Sequence, residues 1–146
     1  MLSLYPRKKE KELKKMKKVL MLLGVSFIIT NCGGLTQIND EQVFFAFDSA
    51  ELSKDAKKHL KKQAVYMKKN PNIEITLQGR CDERGTIEYN LALGALRAGN
   101  AAHIMMREGI EPERIKTVSY GKENPIYPGT GEKVWALNRN TTTKVD

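Results

Sequence analysis

Gly79-Arg80-Cys81-Asp82-Glu83-Arg84-Gly85-Thr86 joins two segments of different period. Before it, Ile73, Ile75 and Leu77 alternate with Glu74, Thr76 and Gln78, the two-residue repeat of a strand with one buried and one wet face. After it, Leu91, Ala95, Ala98, Ala102 and Met105 line one face of a helix. Thr86 is placed to cap that helix and Gly109 to end it, and its many alanines favour close packing. A strand that passes through a polar loop into a helix therefore sits at the centre of the chain.

Working outward, Val43 to Phe47 is apolar, β-branched and aromatic, and predicts a strand closed by Asp48 and Ser49. Ser53 can cap a helix in which Ala56, Leu60, Ala64 and Met67 repeat among lysines, ending near Asn70 and Pro71. On the other side, Ile115 to Tyr120 reads as a strand. A loop with Gly121, Pro125, Pro128, Gly129 and Gly131 follows, then a weak strand signal from Thr141 to Val145. The order β-α-β-α-β-β predicts an α/β fold, a two-layer sandwich with its helices packed on a mixed sheet.

The 146 residues, 40% of them hydrophobic, suit one folded domain. The net charge of +8 is uneven: residues 1–31 carry eight basic and two acidic side chains. In that segment Lys14, Lys15, Lys17 and Lys18 precede the twelve-residue apolar run Val19 to Thr30, and Asn31, Cys32, Gly33 and Gly34 follow. A bilayer-spanning helix needs about 20 residues, so the run reads as the core of a cleaved signal. The cysteine after it resembles the lipobox of bacterial lipoproteins, with Asn31 where Gly, Ala or Ser is usual. We expect a lipoprotein-type signal peptide over 1–31, a start at Met16 being an alternative, a lipidated tether over 32–42, and a domain over 43–146. Acylation of Cys32 leaves Cys81 free; without it, a Cys32 to Cys81 disulfide is the competing expectation.

Catalysis finds little support in the residues. His59 and His103 each fall midway along a predicted helix and outside any metal-binding spacing, and no nucleophile with a base or phosphate-binding glycine loop stands out. Asp82 and Glu83 are adjacent loop carboxylates without a positioned second group, and residues so placed more often cap or pair with Arg84. We therefore expect a non-enzyme with no cofactor and no metal. Nucleic acid is not expected as a partner, because most of the excess charge lies in the signal. The lysines at 54, 57, 58, 61, 62, 68 and 69 read as a solvated helix face, with a weak contact to anionic glycan or lipid headgroups as the functional alternative.

The central stretch, continued through Glu88, Tyr89, Asn90, Leu93, Gly94, Arg97 and Ala98, closely resembles the OmpA-like peptidoglycan-binding domains, and among them the peptidoglycan-associated lipoproteins. The likeness extends to Phe47 and Asp48, to Val118 through Pro125, and to Asn138 and Arg139, and so covers roughly residues 43–145. It implies a non-covalent grip on the diaminopimelate-containing stem peptide of peptidoglycan. Asp82 would accept the ligand's ammonium, Arg97 would fork onto its carboxylate, and Asp48 would lie beside them. Spacing alone does not bring these together, since Arg97 lies about 16 Å along the helix from Thr86. Purely structural roles are the alternative: Asp82 capping the helix or its loop, Arg97 bonding a buried carbonyl, Asp48 closing a turn.

Arg80 and Cys81 depart from the family pattern beside Asp82, and Asn140 departs near the end. An extra cation at Arg80 would strengthen a carboxylate contact or compete for Asp82, and the short end after Asn140 would weaken the last strand. The resemblance further implies an outer-membrane location with the domain in the periplasm, a role in a Tol-Pal type system, and a complex with the propeller protein TolB. A wall-binding anchor of another envelope assembly is the first alternative, and a periplasmic wall hydrolase the second.

Overall fold

The computed structural model describes residues 37–146; the expected signal peptide, Cys32 and the first part of the tether lie outside them. Strand β1 (Gln42–Phe44) leads to helix α1 (Lys54–Lys69), strand β2 (Ile75–Arg80) and helix α2 (Ile87–Arg107). A 3-10 turn (Pro112–Arg114) precedes β3 (Ile115–Gly121), helix α3 (Glu132–Asn138) and β4 (Asn140–Val145). The sheet runs β1-β4-β2-β3, with β2 and β3 parallel and β4 antiparallel to both β1 and β2. This is the mixed α/β sandwich that the alternation and helical spacing predict.

The capping expectations hold in detail. The Ser53 hydroxyl accepts from the Ala56 N–H and the Thr86 hydroxyl from the Tyr89 N–H, each satisfying a helix-start donor that would otherwise be orphaned. Three outcomes differ from expectation. The first strand stops at Phe44, because Asp48 takes a left-handed φ of 51° that turns the chain away; the Phe45 N–H still donates to Arg139 O at 2.8 Å. Helix α3 interrupts the expected loop; at seven residues it is too short to announce itself by periodicity. The weakest strand signal proves to be an interior strand. Asn140 through Thr143 are all buried, and the Thr142 and Thr143 hydroxyls donate to Asn140 Oδ1 at 3.0 Å and to Gln63 Oε1 of α1 at 2.7 Å, so hydroxyl bonds stand in for part of the missing apolar pattern.

Ile75 and Leu77 of β2, Leu60, Ala64 and Met67 of α1, and Ala98, Ala101 and Met105 of α2 form the core. Helix α2 comes unusually close to β2 at two glycines. A Cβ on Gly79 would fall 2.7 Å from the carbonyl carbon of Gly94 and closer still to its oxygen. Arg114 fastens the opposite end: its guanidinium donates to Ile73 O, Met67 O and Asn70 O at 2.9–3.0 Å, tying the end of α1 to the approach of β2.

These contacts give the sheet two distinct ends. At one, the entering chain is pinned, with the Asp40 N–H donating to Thr143 O at 2.8 Å and the Val145 N–H to Asn39 Oδ1 at 3.1 Å. At the other, β2 delivers Cys81 and Asp82 to the start of α2. A six-residue strand separates the ends by about 20 Å.

Candidate functional site

A cavity of about 210 Å³ opens at the carboxyl end of β2, where Phe47 and Asp48 from the turn after β1 meet Asp82, the first turns of α2 and Arg139. Asp48, Asp82 and Arg97 all line it. What spacing left open, the fold closes: α2 runs back over the sheet, so Arg97 comes beneath the loop that holds Asp82.

Each of the three also performs the structural task that the residues suggest. Arg97 is 1% exposed, and its Nε, Nη1 and Nη2 donate to Ser49 O, Arg80 O and Ala46 O at 2.8, 2.8 and 3.1 Å. Those carbonyls occupy three of its five N–H groups. Among the described residues it makes no ion pair, and its guanidinium lies 5.1 Å from the centroid of the Phe45 ring. Burial lowers its pKa. Arg97 is thus a buried cation whose direct partners are main-chain dipoles, at the wall of a cavity.

Asp82 is 4% exposed and closes its own loop by accepting the Arg84 N–H at 3.1 Å. Its carboxylate also takes the Arg84 side chain, at 3.1 and 2.7 Å, and Arg139 Nη1 at 3.2 Å. Burial pushes this carboxyl up, but the hydrogen bonds from Arg84 and Arg139 outweigh burial and hold it below the ordinary aspartate value. Asp48 is at the exposed rim, where the Tyr89 hydroxyl donates to it and the bond raises the phenol's pKa.

Arg84, Arg139 and the aromatic rim belong to the site as well: Arg84 makes the pair with a loop carboxylate that the sequence suggests, whereas Arg139 and the rim have no role legible there. The Arg84 guanidinium lies between two rings, 4.0 Å from the centroid of Phe47 and 4.2 Å from that of Trp135. Trp135 Nε1 donates to Glu83 at 2.8 Å, and Glu132 accepts Arg139 at 2.6 Å. Helix α3 supplies both Glu132 and Trp135, so its absence from the sequence reading removed this half of the site from view. The signals available were the chain's single tryptophan and the quoted Arg84 and Arg139.

The two departures beside Asp82 have separate fates. Arg80 does not turn towards Asp82: it lies among Gln78, Thr142 and Asn124 O, stacked 4.8 Å from the Tyr120 centroid, and does not line the cavity. Cys81 does line it, as a free buried thiol whose Sγ donates to Asn90 O at 3.3 Å and whose pKa burial raises. His59 contacts Glu41 at 2.5 Å, and His103 is exposed.

Comparison with known proteins gives a consistent result. The OmpA family model matches residues 44–139. Peptidoglycan-associated lipoproteins of Agrobacterium fabrum (strain C58) and Rhizobium meliloti (strain 1021) are each 42% identical over 103 residues, which is 70% of this chain and 58% of theirs. The chain thus spans a little over half the length of these curated relatives. That of Pasteurella multocida (strain Pm70) is 31% identical over 144 residues, covering 87% of this chain and 96% of that protein. The crystal structure of the peptidoglycan-associated lipoprotein from Burkholderia pseudomallei superposes with a TM-score of 0.70 at 38% identity, over 72% of this chain and 89% of that one. The C-terminal domain of Helicobacter pylori MotB gives 0.68 at 20% identity, over 73% and 84%, a likeness of fold alone.

Proposed function

This chain belongs to the OmpA family, and from that premise we propose that it is an outer-membrane lipoprotein, acylated at Cys32, whose domain holds peptidoglycan without chemical change. The observation that carries the reading is Arg97, a buried guanidinium without a carboxylate partner among the described residues, facing the same cavity as Asp48 and Asp82. An anionic ligand group would complete it, using the two N–H groups that the carbonyls leave over. A ligand that also carries an ammonium suits the two aspartates, and the diaminopimelate of a stem peptide offers both charges.

Asp82 is already saturated by Arg84 and Arg139. In this reading the ammonium meets Asp48 first and reaches Asp82 as Arg84 yields. The relatives named as peptidoglycan-associated lipoproteins support the ligand class; the stem-peptide preference, the Tol-Pal role and the TolB complex rest on the family resemblance.

The test is co-sedimentation of the full chain with insoluble peptidoglycan beside Asp48→Ala and Asp82→Asn, each checked for fold by circular dichroism. Binding by the parent and at least about tenfold weaker binding by both variants, the loss of one charge-assisted contact, is expected. Equal binding by folded variants would overturn the site, and release of soluble wall fragments by the parent would overturn the non-catalytic reading.

A further inference from the structure

Helix α1 concentrates the positive charge of the domain. Within it stand seven lysines and one aspartate, whereas the rest of residues 37–146 holds ten basic and fourteen acidic side chains. At about 100° per residue, Lys54, Lys57, Lys58, Lys62, Lys68 and Lys69, with Lys61, fall within an arc of about 140°. No acidic residue enters that arc, and the exposed Val65 lies near its middle. All seven lysines are exposed. Among the described residues only Lys61 has a carboxylate partner, Glu108 at 3.0 Å.

This arrangement works against the fold. Lys54 and Lys58, Lys57 and Lys61, and Lys58 and Lys62 are like charges one turn apart, a spacing that destabilises a helix. Acidic residues could have been interleaved, as they are elsewhere on this surface at Lys116 with Glu74 and Asp146. Helix α1 itself runs beside the amino-terminal entry of the domain, since His59, on a neighbouring side of the helix, contacts Glu41 just before β1.

We propose that the lysine face of α1 docks on an anionic phospholipid surface. Lysines are mobile point charges that match a fluid layer of headgroups, each worth about 1 kcal/mol near such a surface. The face has no arginine fork to fix a single phosphate or carboxylate, and no aromatic platform on which a sugar or base would stack. The surface is independent of the cavity at the carboxyl end of β2.

The experiment uses the full chain and a Lys57→Gln, Lys58→Gln, Lys62→Gln, Lys69→Gln variant, so that the amino-terminal segment is common to both. Partitioning is measured on vesicles rich in phosphatidylglycerol and on phosphatidylcholine alone. The parent is expected to favour the anionic vesicles, and the variant, lacking four lysines at about 1 kcal/mol each, to bind them on the order of several hundredfold less, with added salt narrowing the difference. The variant's thermal midpoint should equal or exceed the parent's, because like-charge pairs have been removed. An amine-acylation footprint of the parent reads the face directly: Lys57, Lys58 and Lys62 become protected by anionic vesicles while Lys133 does not. An unchanged footprint, or protection by isolated peptidoglycan in place of vesicles, overturns the proposal.

Discussion

Asp82 is held by two guanidiniums where water scarcely reaches, and this fixes how its charge responds to acid. Its folded pKa lies below the unfolded one, so its contribution to stability is present above the ordinary aspartate value near 4 and is lost as pH falls below that value towards the folded one. Urea unfolding of the parent should therefore weaken through that window, and Asp82→Asn should flatten this part of the profile. At neutral pH, Asp82→Ala leaves Arg139, only 8% exposed, with Glu132 as its one carboxylate partner, and is expected to cost about 3 kcal/mol by the same measurement. Trp135 offers an optical readout because it is the only tryptophan in the chain. If a stem peptide draws Arg84 from between Phe47 and Trp135, tryptophan emission shifts on titration, and Arg84→Ala removes the shift while leaving the rings in place. At this scale the resemblance named Asp48, Asp82 and Arg97 as candidates, and the structure brings the three to one cavity. The sequence offered Arg84 as a partner of the loop carboxylates, as Asp82 shows, but did not disclose that Arg80 turns elsewhere, because that depends on which side of a strand end a side chain leaves.

Between elements, two glycines set the distance that matters. Gly79→Ala drives a Cβ into the backbone of Gly94, which has nowhere to move, and should cost about 3 kcal/mol in thermal unfolding, at the upper end for overpacking. Gly94→Ala meets chiefly the Ser119 hydroxyl, a group that can be removed. Its penalty should fall in a Ser119→Ala background, which the Gly79→Ala penalty should not. Helices α1 and α2 and strands β2 and β3 were legible because each has a sustained period and a residue that starts or stops it. Helix α3 has less than two turns and begins at Gly131 without a side-chain cap. The run Asn140 to Thr143 lacks apolar residues, and only its partners reveal it as interior: Gln42 to Phe44 on one side, Leu77 to Gly79 on the other. Sequence patterns report burial against oil more clearly than burial against hydrogen bonds.

For the whole molecule, the last strand in sequence is a middle strand in space, and the chain closes its sheet only when residues 140–145 insert between β1 and β2. Ending the chain at Arg139 should thus abolish cooperative unfolding, as judged by the loss of a sigmoidal urea transition, since β1 and β2 would each lose a neighbour. The same insertion determines how the protein answers a pull. The chain enters at the Asp40 end of the sheet and the cavity opens at the Asp82 end, so a force between entry and ligand runs along the strands. The ladder bonds from β1 to β4 and from β4 to β2 stand across that line. They are therefore loaded together in shear, not peeled apart in turn.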